Sequence, residues 1–482
     1  MTDDRNELFI GSAWTAPSSS NRITVRSAST EQVIGSVPEA TEADVDAAVA
    51  AARRTFDAPG GWATWEPERR AEILDQLAVE YENRAEAIFT AISAQNGMPI
   101  SIARQLETFP PVLFRYYADL IRKQPQQEVR EGLFVRTATV RRSPVGVVAG
   151  IIPWNVPQSL TATKLAPALA AGCTIVVKPS PETVLDAFLL ADAAAAAGVP
   201  EGVFSVVPGG RELGAYLVSH PGVDKVAFTG STAGGRAVAQ ACATLLRPVT
   251  LELGGKSAAI ILDDADLDLA KVGQSLFGAT LANNGQVCFL GTRILAPWRR
   301  YDEVVDAFAH LMSSAPVGDA LDDSTLIGPL ASHHQRSRVS GYIDAGISEG
   351  AKVVVGGQGR PEGLDQGWFV RPTLFAGLDN DATIAREEIF GPVLTVIGYD
   401  GDDEAVLIAN DSDYGLGGTV WSSDPDRALS VAAAVHTGTI GINGYLPDPS
   451  APFGGVKSSG LGKEFGPEGL ANYQNLKSIY QF

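Results

Sequence analysis

The sequence predicts an α/β protein: a doubly wound parallel sheet, a second α/β unit after it, and a separate β arm. Three observations predict this. Five short β-branched segments, VGVVAGI (145–151), TIVVK (174–178), VFSVV (203–207), KVAFT (225–229) and VTLEL (249–253), begin 29, 29, 22 and 24 residues apart, the length of a strand, a crossover helix and two turns. Alanine- and leucine-rich segments of helical character fill the intervals. Strand and helix patterns then resume after Gly254 and run to about residue 458.

Taken in order, residues 41–96 read as helices that cover the sheet, opening with Thr41 and Asp44 in capping positions. Gln158–Ala171 is a crossover helix, Pro181 marks the start of the next, and Gly198 with Pro200 closes it. In the second unit, residues 266–284 and 301–312 read as helices and 292–297 as a strand between them. LFVRTATVRR (133–142) alternates without a strongly apolar face, and NLKSIYQF (475–482) has the makings of another strand; exposed strands of this sort pair with other chains. The expected division is a doubly wound domain over 1–130 and 146–254, a second domain over 255–458, and an oligomerisation arm over 131–145 and 459–482.

Composition narrows the function. Hydrophobic residues at 45% and charged residues at 19% belong to a globular chain able to bury a large core. The net charge of −19 repels phosphate backbones and anionic lipid surfaces, so neither nucleic acid nor membrane is an expected partner. Cys173, Cys242 and Cys288 stand far apart with no C-x-x-C pair or histidine cluster, which suggests neither a metal site nor a disulfide framework. The acidic N-terminal stretch lacks the basic and apolar regions of a secretory signal, and the expected location is the cytoplasm.

The residues able to carry chemistry gather at strand ends and turns. Cys288, in NNGQVCFLGTR, follows a turn that Gly285 permits; a thiol there can face a cleft, and turn N–H groups can favour its thiolate and later bind an oxyanion. Alone, such a cysteine is usually a small buried hydrophobe. Glu252, in LELGGK, ends an apolar strand at the edge where open α/β sheets bind ligands, and apolar surroundings raise a carboxylate toward the range of a general base. FTGSTAGG (228–235) is a strand, a glycine-rich turn and a helix start that lets backbone N–H groups approach a phosphate. It is neither G-x-G-x-x-G nor a P-loop. Asn155, in IIPWN, offers an amide at the sheet edge; Lys178, in KPS, offers a donor to ribose or phosphate; EEIFGP (387–392) brings another carboxylate followed by an aromatic.

In this order, PWN, KPS, FTGST, LELGGK, N-x-G-Q-x-C, EEIFGP and PFGG span some 300 residues and resemble the aldehyde dehydrogenase superfamily in its hydrolytic, NAD(P)-dependent branch. The likeness covers essentially the whole chain and implies that family's fold. By it, Asn155 and the Cys288 N–H would form an oxyanion hole, and Lys164 and Glu464 would support proton movement around Glu252. Lys178 would hold the adenosine ribose, Gly230 and Ser231 would approach the pyrophosphate, and Glu388 with Phe390 would flank the nicotinamide riboside. Ile152, Trp154, Ser180, Pro181, Gly210, Gly214, Phe228, Thr229 and Leu253 would complete the cofactor's surroundings.

The implied reaction is attack of Cys288 on an aldehyde, hydride transfer to the nicotinamide, and hydrolysis of the resulting thioester by water that Glu252 deprotonates. Relatives that pass the acyl group to coenzyme A typically lack this glutamate. Pro181 stands where many NAD-preferring relatives carry a glutamate, so NAD is expected with NADP as the alternative. Val156 and Thr163 occupy positions that are often aromatic in relatives acting on small aldehydes, while Leu160, Phe289, Tyr445, Leu446 and Phe453 would supply apolar lining. A medium or large hydrophobic aldehyde is therefore expected, in a homodimer or homotetramer. The rival readings are a cysteine-dependent esterase without nicotinamide and a non-enzymatic scaffold that keeps the fold.

Overall fold

The five β-branched segments lie side by side in a computed structural model that describes residues 3–482. Their strands, Val147–Ile151, Thr174–Lys178, Phe204–Val206, Lys225–Thr229 and Val249–Glu252, pair in parallel at the centre of an eight-stranded sheet. In space they run Val249–Glu252, Lys225–Thr229, Val147–Ile151, Thr174–Lys178, Phe204–Val206, so the order reverses beside Val147–Ile151. Ligands of open α/β sheets bind at such a reversal. Asn155, Thr229 and Glu252 all follow from or end strands on this edge.

Both sheet faces are covered, as parallel strands require. On one side Trp62, Leu74, Tyr81 and Phe114 of the N-terminal helices pack with the buried Pro157–Ala171 helix. On the other, Val45, Val49 and Leu217 pack against Val147 and Val176. The first helix, Glu42–Asp57, starts where expected, with Thr41 N donating to Asp44 Oδ2 at 2.8 Å. The sheet also gains antiparallel edges at Leu8–Ile10 with Ala13–Thr15 and at Gly460–Leu461, which sequence periodicity did not show.

The second domain holds a seven-stranded sheet in which Arg293–Pro297 lies between Ala258–Ile261 and Val393–Tyr399. Two expectations shift. Pro181 does not open a helix: it lies in a turn, and the helix runs Leu185–Ala196, because Gln95 Oε1 accepts from both Val184 N and Leu185 N and so fixes the helix start. The helix expected over 266–284 is Leu269–Thr280, followed by a tight turn at Asn283–Gly285 with φ of 51, 59 and 73°.

In the arm, residues 133–136 form a turn rather than a strand. It joins Gln127–Glu131 to Thr137–Pro144, which pairs antiparallel with Gln474–Gln481 from Pro144↔Gln474 to Thr137↔Gln481. The arm strands thus begin at Gln127, and within 459–482 only Gln474–Gln481 joins them, since Gly460–Leu461 extends the large sheet. Among the described residues no helix is long and apolar enough to cross a membrane.

Candidate active site

Cys288 follows directly from the left-handed turn. Gly285 is required there because a Cβ on it would drive into the carbonyl of Gly391, so the turn can approach the Glu388–Gly391 segment only without a side chain. That approach places Cys288, Glu388 and Phe390 around one small cavity. Burial first, then the Glu388 and Glu252 carboxylates, push the thiol well above its ordinary range, and these outweigh the backbone N–H.

Glu252, only 3% exposed, ends its strand with both carboxylate oxygens buried and held by no side chain, the Gly455 backbone N–H favouring its charged form. Burial and the neighbouring Glu464 carboxylate raise its pKa well above the usual carboxylate range, against an opposing pull from Lys164. It is not a surface glutamate. Gly454 closes over Glu252 Oε1. Below it, Lys164 Nζ donates to Glu464 Oε1 at 2.8 Å and to Thr229 Oγ1 at 2.6 Å, all three side chains buried. Thr229 therefore turns its hydroxyl toward this ion pair.

Asn155 is buried at the loop that follows Val147–Ile151. Its Nδ2 donates to Gln286 O at 2.9 Å. An amide nitrogen carries two N–H bonds, so one stays free for a substrate oxygen. Glu388 accepts from Gly255 N at 2.9 Å, and burial raises its pKa. The Phe390 ring meets Trp154 edge-on at 5.4 Å, which brings together two residues expected around the cofactor.

A cavity of about 420 Å³ beside the sheet edge is lined by Lys178, Arg211, Gly214, Phe228, Ser231 and Val238. Its chemistry suits an adenosine diphosphate. Ser231 caps the Thr232–Thr244 helix, with Gly234 N donating to Ser231 Oγ at 3.2 Å, so the helix's free N–H groups and positive end face the cavity edge. Gly230 lies against the Phe228 ring, where a Cβ would stand 2.7 Å from Cζ. Lys178 donates to the carbonyls of Pro179 and Gly209 at 2.8 Å each, and burial lowers its pKa to about 8. Ser180 Oγ donates to Glu182 Oε2 at 2.5 Å, which brings a carboxylate to the turn where Pro181 had left none.

A groove of about 1020 Å³ opens between the helices Ile100–Leu106, Leu269–Thr280 and Tyr301–Ser314. Ile102, Leu106, Phe277, Val287, Phe289, Leu311, Tyr445 and Leu446 make its apolar lining. Phe289, next to Cys288 in the chain, stacks on Tyr445 at 4.4 Å, and Tyr445 OH is held 2.5 Å from Thr439 Oγ1. Among the described residues no group of three or more histidine, cysteine or acidic side chains could hold a metal.

Residues 14–479 match the profile of the aldehyde dehydrogenase family. The chain belongs to the aldehyde dehydrogenase family. It is 56% identical to the geranial dehydrogenase of Castellaniella defragrans, over 100% of this chain and 99% of that protein. Its fold superposes on the Mycobacterium tuberculosis aldehyde dehydrogenase complexed with NAD+ with a TM-score of 0.97 at 48% identity, covering 100% and 99% of the two chains. A mutant of aldehyde dehydrogenase C from Pseudomonas syringae, complexed with NAD+ and octanal, gives 0.94 at 42% identity, covering 98% and 96%.

Within this aldehyde dehydrogenase, the residues expected from sequence divide by place. Cys288, Glu388 and Phe390 share one cavity, Lys164 and Glu464 are paired, and Lys178, Gly214, Phe228 and Ser231 share another cavity. Ile152 and Leu253 are buried in packing, Ile152 N bonding Lys178 O and Leu253 packing on Gly235; Gly210 caps the Arg211–Ser219 helix. Phe289, Tyr445 and Leu446 line the groove, Leu446 at 77% exposure. Val156, Leu160, Thr163 and Phe453 are not among its lining: Thr163 donates into its own helix at Ser159 O, and Phe453 packs behind Phe289 and against Phe465. Ile102, Leu106, Phe277 and Leu311 were missed because helical periodicity marks an apolar face without showing whether it meets core or cavity.

Proposed function

We propose that this NAD-dependent aldehyde dehydrogenase oxidises medium-sized to large hydrophobic aldehydes to carboxylic acids, with Cys288 as nucleophile and Glu252 as the base that frees the product. The observation that carries the substrate class is the groove of about 1020 Å³, walled by the Phe289–Tyr445 stack beside the nucleophile and by Ile102, Leu106, Phe277 and Leu311 beyond it. Apolar area removed from water contributes about 25 cal/mol per Å², so each added carbon that reaches this lining strengthens binding. A relative named for geranial and another seated with octanal support the same class.

NAD, when bound, supplies the hydride acceptor. Lys178, Ser231 and the Thr232–Thr244 helix end would hold its adenosine and phosphates, and Glu388 and Phe390 would hold the nicotinamide riboside. The Glu182 carboxylate beside the ribose lysine favours NAD over the more negative NADP. Cys288, as its thiolate, bonds through Sγ to the aldehyde carbon while the free N–H of Asn155 and the backbone N–H of Cys288 hold the carbonyl oxygen as it gains charge. Oxidation leaves the acyl group on Cys288 as a thioester. Glu252, whose buried oxygens no side chain holds, takes a proton from the water that hydrolyses it. Lys164 and Glu464 carry that proton onward.

The three-stranded arm exposes Leu476, Ile479 and Tyr480, and we assign it to joining protomers in a homodimer or homotetramer. The three cysteines are free, in keeping with a cytoplasmic enzyme.

The test is a series of straight-chain, terpenoid and aromatic aldehydes with NAD and NADP, following reduced cofactor. The specificity constant is expected to climb from acetaldehyde to eight- and ten-carbon aldehydes by roughly threefold or more per carbon within the groove. Cys288→Ala forms no reduced cofactor. A preference for acetaldehyde, or no dependence on length, overturns the substrate class.

A further inference from the structure

The two groups assigned to the oxyanion belong to different domains: Asn155 follows the large sheet, and Cys288 follows the turn that opens the second domain's loop. No covalent path of fewer than 130 residues fixes their separation. A network of buried amides does. Asn96, the last residue of the Ala85–Asn96 helix, donates from Nδ2 to Trp154 O at 3.0 Å and Asn155 O at 3.1 Å, while its Oδ1 accepts from Met98 N at 2.9 Å. Asn283 Nδ2 donates to the same Asn155 O at 2.9 Å. Asn284 Nδ2 donates to Gly97 O and Pro329 O at 2.8 Å, and its Oδ1 accepts from Gly328 N at 2.6 Å. Asn155 Nδ2 closes the ring on Gln286 O at 2.9 Å.

All four asparagines are buried, so these bonds have no water to compete with them. A carbonyl oxygen has two lone pairs, and those of Asn155 are both taken, one from the N-terminal helices and one from the cysteine turn. The peptide plane that carries the Asn155 side chain is thereby tied to the backbone that carries Cys288. Left-handed φ at 283 and 284 explains the residue type, since asparagine tolerates that region better than other side chains that could donate here.

We propose that Asn96 and Asn283 are positioning residues that set the distance between the Asn155 amide and the Cys288 N–H across the domain boundary. The proposal rests on the reading of Asn155 as an oxyanion donor.

Acylation of Cys288 by a p-nitrophenyl ester tests both, because it needs the same oxyanion donors and no nicotinamide. Asn96→Ala and Asn283→Gly, the latter keeping the left-handed turn, are each expected to slow the acylation burst by about 10- to 100-fold, the size of an effect from misplacing a donor by an ångström or less. The ester's KM and the NAD dissociation constant measured by calorimetry are expected to stay within about threefold of wild type. Because both side chains act through one carbonyl, the double variant loses less than the product of the two single losses. If Asn155→Ala is slow while Asn283→Gly acylates at the wild-type rate, the positioning role falls and the oxyanion role stands. If Asn155→Ala itself acylates at the wild-type rate, the oxyanion reading falls with it. Should Asn96→Ala fail to fold, Asn283→Gly alone decides between these outcomes.

Discussion

Replacing Glu252 with glutamine keeps the shape at the strand end and removes only the proton acceptor. Both carboxylate oxygens are buried and no side chain hydrogen-bonds them, so the substitution leaves the side-chain hydrogen bonds around it intact. The expected loss is that of one general base, about 10²- to 10⁴-fold in thioester hydrolysis, or about 3–5 kcal/mol on that barrier. Stopped-flow absorbance of reduced NAD is then expected to show a burst of about one equivalent per Cys288 followed by turnover slowed by that factor. The amplitude stays near one equivalent as long as acylation outpaces the slowed hydrolysis, and a slower burst would show that Glu252 also takes a proton from Cys288. The pH dependence has a definite sign. Burial and Glu464 raise the Glu252 pKa, and only the ionised form accepts a proton, so wild-type hydrolysis climbs with pH through that raised value. Glu464→Gln removes the like charge and moves the acid limb to lower pH. Steady turnover of Glu252→Gln at the wild-type rate would refute the role.

Two further predictions concern stability and assembly. Burial raises the Glu107 carboxyl from the ordinary 4.5 to about 8, where it accepts from Ser159 N at 2.7 Å under the Pro157–Ala171 helix. A carboxyl raised in the folded state favours folding below its unfolded pKa and loses that contribution as pH rises toward 8. Thermal scans should therefore show Glu107→Gln gaining on wild type between about pH 4.5 and pH 8 and holding a constant gap above; a gap independent of pH would count against it. Removing residues 474–482 strips the arm of one strand, and light scattering should report a smaller assembly, whereas an unchanged mass would place the interface elsewhere.

The parts of this molecule that were legible in the sequence are those governed by local chemistry. Five β-branched runs at crossover spacing gave the parallel sheet, and a glycine before Cys288 gave the tight turn that leads into it. Where the outcome depended on distant partners, sequence reasoning stopped short. Pro181 has the right ring for a helix start, but Gln95, remote in sequence, decides where that helix begins. The 266–284 pattern is helical throughout, yet Gly97, Gly328 and Pro329 capture Asn284 and end it early. Asn96 carried no signal at all, because a polar residue closing an N-terminal helix looks like any other cap. The groove was half-visible: Phe289 and Tyr445 come with the motifs, but Leu106 and Phe277 become lining only once three helices leave a gap between them.

The C-terminal segment also ties assembly to chemistry. Within some twenty residues the chain pairs with the Glu252 strand at Gly460–Leu461, delivers Glu464 to Lys164, and leaves as the Gln474–Gln481 strand of the arm. One continuous run of chain therefore holds both the arm strand and the carboxylate bonded to the buried lysine. A change that loosens the Gln474–Gln481 strand is expected to be felt at Glu464 and its bond to Lys164, upstream in the same run.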